Sequence, residues 1–174
     1  MTTTPDRVPT EDPVFELRRL QGHDEALACA AIMSTSEPWI TLGRDHPASL
    51  AVVLNPDREV WVAVHDGTVT AFVVLAMRGG FPGYIQSIGV EVSWRGRGIG
   101  RQLLERVEHR VFEETPNVFL CVSSFNPGAR RFYEAGGYRH VGTVPDYIVA
   151  GHDEHIMRKT CGPLAGYRSA ETAG

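Results

Sequence analysis

The sequence predicts an α/β fold of the α+β type, a mixed sheet of six to seven strands with helices on its faces. Three observations carry that reading. β-rich runs and helical stretches follow one another in the order β-α-α-β-β-β-α-β-α-β-β. Leu103, Leu104, Val107 and Val111 recur at helical spacing between two β-rich runs, so a helix with one apolar stripe packs on the sheet. Asp66-Gly67 joins two neighbouring runs and is a strong two-residue hairpin signal.

Each element has its own local reason. Residues 14–20 alternate apolar and polar positions around Phe15 and Leu17 and read as a strand. Gly22-His23-Asp24-Glu25 opens an Ala-rich helix to about Met33, with acids in the first turn where the helix dipole favours them. Residues 34–47 form a loop, and residues 48–54 a short second helix ended by Asn55-Pro56. Residues 59–65 and 68–78 are the hairpin strands, 79–83 a Gly/Pro loop, and 84–92 a further strand. After Arg95-Gly96-Arg97-Gly98-Ile99-Gly100 comes the longest helix, ended by Pro116-Asn117. Residues 118–123 are a strand. Asn126-Pro127 supplies an N-cap and a first-turn proline to a helix that Gly136-Gly137 stops. Residues 138–144 and 154–159 close the domain as strands.

The 174 residues carry a formal net charge of −4, with 43% hydrophobic and 22% charged side chains. This suits one globular domain and excludes a disordered chain, a collagen-like repeat and a coiled coil. The mild acidity argues against a nucleic-acid partner, which calls for a basic field. The basic residues are 16 arginines and a single lysine, Lys159, a bias that codon usage accounts for. Cys29, Cys121 and Cys161 fit neither a fully paired disulfide framework nor a zinc motif, so a reduced, cytoplasmic protein is expected. Residues 1–13 hold no signal peptide, and no apolar run approaches the length of a membrane span. Residues 1–13 and 162–174 read as flexible tails around a domain at 14–161.

The glycine-rich turn is the first candidate site. Between a strand and a helix it gathers unpaired N–H groups at a positive helix end, and its glycines let an anion approach the main chain. Arg95, Arg97 and Arg101 add charge around it. A P-loop would need Gly-Lys-Ser/Thr, and there is no lysine here. A dinucleotide fingerprint needs a third glycine where Leu103 stands, and an acid near Ser123-Ser124. A tight connection without a ligand is the remaining reading of the turn taken alone.

Arg95-x-x-Gly98-x-Gly100 resembles the pyrophosphate-binding motif of the GNAT superfamily of N-acetyltransferases. Ile88-Gly89-Val90-Glu91 is similar to the preceding strand of that family. Asn126-x-x-Ala129-x-x-Phe132-Tyr133-x-x-x-Gly137-Tyr138 is similar to its following strand–helix segment. Two motifs in the right order and separation are far more specific than either alone. The resemblance implies a mostly antiparallel mixed sheet whose fourth and fifth strands splay apart, with acetyl-CoA as cosubstrate in the gap.

It also implies roles for particular residues. Ile88 and Val90 pair with the pantetheine arm, and a main-chain N–H near Ile88–Gly89 faces the thioester oxygen. Arg95, Gly96, Arg97, Gly98, Ile99, Gly100 and Arg101 cradle the pyrophosphate, and Asn126 contacts the cofactor near the thioester. An amine attacks directly, a tetrahedral intermediate forms, and Tyr133 matches the acid that protonates the leaving thiolate. Cys121 stands where some relatives carry a glutamate base, so either another residue takes the proton directly or through water, with Glu37 and Glu154 as candidates, or the amine arrives already neutral. A covalent acetyl-Cys121 step fits the direct transfer of the family poorly.

Relatives in this family bind the acceptor with the first loop, the fourth strand and the region between the last two strands. The corresponding residues are Glu37, Trp39, Arg44, Tyr84, Gln86 and Tyr147. Tyr84 and Gln86 share parity with Ile88, and so its face unless a bulge intervenes. The expected acceptor is a primary amine on a small molecule or a peptide. A non-catalytic acyl-CoA sensor, or a transferase for a longer acyl-CoA, are the alternatives. No metal, nucleic acid or membrane is expected, and the chain is a monomer or a homodimer. His152-Asp153-Glu154-His155 lacks the helical His-Glu-x-x-His spacing of a zinc site.

Overall fold

The computed structural model describes residues 13–168. The predicted N-terminal tail therefore lies outside the described residues except for Pro13. The chain runs β1 (Glu16–Arg19), α1 (Gly22–Ser34), α2 (His46–Val53), β2 (Glu59–His65), β3 (Thr68–Ala76), β4 (Tyr84–Val90), a 3₁₀ turn (Val92–Trp94), α3 (Ile99–Phe112), β5 (Asn117–Ser123), α4 (Pro127–Ala135), β6 (Arg139–Val144) and β7 (Glu154–Thr160). All seven strands form one sheet in the order β1-β2-β3-β4-β5-β7-β6. Every pairing is antiparallel except β4 with β5.

Alternation along the central strands sorts the core into two layers. On β2, Trp61 and Ala63 face a cluster with Leu103, Leu104, Val107 and Val111 of α3 and Tyr133 of α4. Val60, Val62 and Val64 face the other way, into a cluster with Ala26, Cys29, Ile32 and Met33 of α1 and Val53 of α2. The sheet is thus covered on both faces, and β2 and β3 are buried almost end to end. Strands buried on both faces read as continuous apolar runs, which is how residues 59–65 and 68–76 appear in the sequence.

Several boundaries differ from expectation, each for a local reason. The second helix begins at His46 because Asp45 caps it, its side chain accepting from the Ala48 N–H at 2.9 Å. The fourth strand stops at Val90, where Glu91 accepts from the Ser93 N–H and turns the chain into the 3₁₀ segment. The long helix starts before Gly100, at Ile99, because Gly98 takes φ 78° and serves as its N-cap. It ends at Phe112, short of Pro116, where the Glu114 and Thr115 N–H groups both turn back to the Val111 carbonyl. Tyr138 belongs to the exit of α4, its N–H donating to the Tyr133 carbonyl at 3.0 Å. Within residues 162–168, Tyr167 Oη donates to the Phe112 carbonyl at 2.6 Å.

Two irregularities in β4 create the site. The β4–β5 ladder contains only Tyr84↔Phe119 and Ile85↔Leu120, after which the two strands part. The β3–β4 ladder pairs Val74 with Ser87 and Leu75 with Ile85, so Gln86 has no partner and forms a bulge. The bulge reverses the alternation. Ile88 and Val90 pack toward the α3–α4 side, whereas Tyr84 lies on the opposite face, the outcome that the parity reading attached to an intervening bulge.

Candidate active site

The parting of β4 and β5 opens a cleft of about 1230 Å³. Its walls come from β4, the tip of β5, the head of α3, α4, the loop between α1 and α2, and the β6–β7 loop. Every residue singled out from the sequence as a site candidate lines this cleft except Arg97, which stacks on the Trp94 ring with its guanidinium 4.9 Å from the centroid. Trp39, one of the acceptor candidates, is also a packing residue: it is buried, its ring 6.0 Å from that of Phe72.

One end of the cleft is formed by the glycine turn and the head of α3. Gly96 and Gly98 have φ 76° and 78°, the left-handed region that L side chains resist. The head of α3 carries no side-chain cap and no acid in its first turn; Arg101 and Gln102 N–H donate to the Gly98 carbonyl, and no side chain competes for the N–H groups of Ile99 and Gly100. Gly100 sits 3.2 Å, at its missing Cβ, from a methyl of Val90, which explains a small residue there. Arg95 is held in place: its Nε donates to the Val90 carbonyl at 3.0 Å and its terminal nitrogen to Ser36 Oγ at 3.1 Å. It ties the end of β4 to the α1–α2 loop while lining the cleft.

The middle of the cleft holds the candidate proton-transfer groups. Asn126 caps α4 through Ala129 N–H at 3.1 Å, which fixes the start of the helix that carries Tyr133. Tyr133 is 6% exposed, its ring edge-on to Phe132 and to Tyr138. Burial pushes its phenol well above the ordinary tyrosine range, so at neutral pH it holds its proton. Cys121, half-buried on β5, is pushed up mainly by burial, which keeps it a thiol and opposes a nucleophilic role. Burial likewise pushes the Tyr84 phenol up. Glu154 is 3% exposed at the start of β7, opposite Ser123, whose hydroxyl donates to it. Glu37 is exposed on the α1–α2 loop and accepts from the Thr41 N–H at 3.2 Å.

Trp39, Arg44, Tyr84, Gln86 and Tyr147, the residues considered for the acceptor, line the cleft together with Arg58 and Ser87. Arg58 and Ser87 carried no sequence signal. Arg58 precedes β2 and reaches the bulge, its Nε donating to Gln86 Oε1 at 2.7 Å. Only the irregular strand brings those two residues together. Among the described residues no three His, Cys, Asp or Glu side chains gather as a metal site. No helix there is long and apolar enough to cross a membrane.

A covered sheet that splays beside a glycine turn at a helix head is the architecture of N-acetyltransferases, and comparison with known proteins gives the family. The Acetyltransferase (GNAT) family matches residues 24–138. The N-alpha-acetyltransferase RimI of Mycobacterium tuberculosis is 32% identical over 138 residues, 76% of this chain and 82% of that protein. An uncharacterized N-acetyltransferase of Methanocaldococcus jannaschii is 37% identical over 101 residues, 57% of this chain and 64% of that protein. The crystal structure of an aminoglycoside 6′-N-acetyltransferase complexed with coenzyme A has a TM-score of 0.70 at 19% identity, covering 85% of this chain and 98% of that one. The chain belongs to the GNAT family of acetyl-CoA-dependent N-acetyltransferases.

Proposed function

We propose that this chain moves an acetyl group from acetyl-CoA to a primary amine by direct attack. The observation that carries the proposal is the early end of the β4–β5 ladder, which leaves Ile88–Val90 and Cys121–Ser123 facing each other across a cleft with Tyr133 in its wall. Acetyl-CoA supplies an activated thioester. The glycine turn and the head of α3 fit its diphosphate, and the unpaired edge of β4 fits its extended arm.

The remaining roles belong to side chains of this protein. Main-chain N–H groups around Ile88 and Gly89 oppose negative charge on the acyl oxygen. Tyr133 holds a proton for the departing sulfur, a role its burial favours by disfavouring the phenolate. Glu154 is the better of the two candidate bases. It is buried in the cleft wall, whereas Glu37 is solvent-exposed and engaged by the main chain of its own loop.

The test is thiol release from acetyl-CoA in the presence of a panel of peptide N-termini, amino acids, polyamines and aminoglycosides. Amine-dependent release supports the reading. Thermal stabilisation by acetyl-CoA with no release on any amine overturns it in favour of a non-catalytic acyl-CoA sensor. Faster release with a longer acyl-CoA identifies that group as the true donor.

A further inference from the structure

We infer that the acceptor is a zwitterion or acidic amine, a molecule that carries a carboxylate within a few bonds of the attacking nitrogen. The inference rests on the acetyl-transfer reading and names the substrate class for the same cleft. Six arginines among the described residues are half-buried: Arg18, Arg44, Arg58, Arg110, Arg130 and Arg158. Arg18, Arg110 and Arg130 are ion-paired to glutamates. Arg158 is satisfied by Asn117 Oδ1 at 2.8 Å and Thr160 Oγ1. Arg44 and Arg58 form no ion pair among the described residues, and both line the acceptor end of the cleft.

Of the carboxylates beside them in sequence, Glu59 is paired with Arg19 and Arg110. Asp45 caps α2. Arg58 reaches the Asp57 main-chain carbonyl at 3.2 Å and Gln86, so its Nε and one terminal nitrogen are occupied and the guanidinium is held in one orientation. Arg44 has only the Met33 sulfur at 3.9 Å. A partly desolvated guanidinium without an anion is costly, and a planar fork held by neighbours is the geometry that recognises a carboxylate.

A second, independent feature points the same way. Ser87 is 5% exposed, lines the cleft from β4, and its hydroxyl has no hydrogen-bond partner. It lies on the α1–α2 face of the sheet, the face of Trp39, where a ligand carboxylate can accept its proton. Glu37 and Glu154 line the same cleft. Both signs of charge are therefore present, as an acceptor with an ammonium and a carboxylate requires. A plain polyamine would leave both guanidinium groups unmatched.

The shared chemistry has two sources, a free amino acid or a peptide whose first residue is acidic. Thiol release is measured on free aspartate, glutamate and alanine against their α-amides, and on peptides beginning with Asp or Glu against Asn or Gln. The expected result is a kcat/KM at least about tenfold higher for the carboxylate member in one of the two series, which identifies the source. In Arg44→Gln and Arg58→Gln that ratio falls toward one, and Arg58→Lys restores part of it by returning the charge. Melting temperature with and without acetyl-CoA confirms that the variants fold and bind the donor. Equal rates on carboxylates and amides overturn the carboxylate inference and leave acetyl transfer standing. An unchanged ratio in both glutamine variants removes the arginines as its cause and overturns the site assignment. No release on any amine overturns both readings.

Discussion

Tyr133 and Glu154 divide the proposed proton traffic, and each role is open to a direct measurement. Tyr133→Phe keeps the ring that packs against Phe132 and Tyr138 but removes the only proton it can deliver. kcat is expected to fall by about a hundredfold or more, with the acetyl-CoA dissociation constant unchanged by calorimetry. Unaltered turnover removes Tyr133 as the acid. Glu154→Gln keeps a partner for the Ser123 hydroxyl but cannot take a proton, so amine-dependent turnover is expected to fall while donor binding persists. If the rate holds, deprotonation occurs elsewhere. Legibility at this scale followed motif strength. Tyr133 and the glycines sit in spaced patterns. Glu154 lies in an unremarkable run of polar residues, and its burial depends on pairing with β5, which is distant in sequence. Arg97 differs from its neighbours in the motif in that its guanidinium lies over the Trp94 ring.

At the scale of elements, β4 shows why a strand can be foreseen while its faces stay conditional on its pairing. Its hydrophobic alternation was visible, but a bulge is a property of two strands, and Gln86 has no composition that marks one. The strand also explains Gly89. A Cβ built there would lie 2.5 Å from Phe72 and 3.2 Å from Trp39. Gly89→Ala is therefore expected to destabilise the fold by about 1–3 kcal/mol, read as a lower urea midpoint, through overpacking alone. A neutral result means that Trp39 and its loop move aside. The β1–α1 junction carries a pH signature. Arg18 grips Glu25 at 2.7 and 3.0 Å, and the Gln21 N–H adds a bond at 2.7 Å, so the Glu25 carboxyl is held below the usual glutamate range. A depressed carboxyl contributes stability that is complete above its unfolded value of about 4.3 and is lost as pH falls through the folded value. Glu25→Gln is expected to flatten the acid limb of the stability curve, and an unchanged limb assigns that loss to other carboxylates.

For the whole molecule, the order of elements and the covering of both sheet faces were legible because hydrophobic period and turn chemistry are local signals. The pairing of distant charges was not. The clearest case is the chain's one lysine. Lys159 Nζ lies 2.5 Å from Glu108 Oε2, and Glu108 is buried with its other oxygen unpartnered. Whatever the origin of the arginine bias elsewhere, this position has a structural use. Lys159→Met leaves a carboxylate stranded in the α3 layer and is expected to cost about 3 kcal/mol by urea unfolding. Adding Glu108→Leu is expected to recover most of that loss, and failure to recover it places the cost in packing rather than in the orphaned charge. The same pair has a chemical consequence for a protein that handles an acetyl thioester. Such thioesters modify exposed lysine side chains without any catalyst. Here the sole ε-amine is clamped by a buried carboxylate, so lysine side chains offer little to the reagent the protein is proposed to hold. Acetyl groups appearing on an added acceptor can then be counted with little background from lysine side chains.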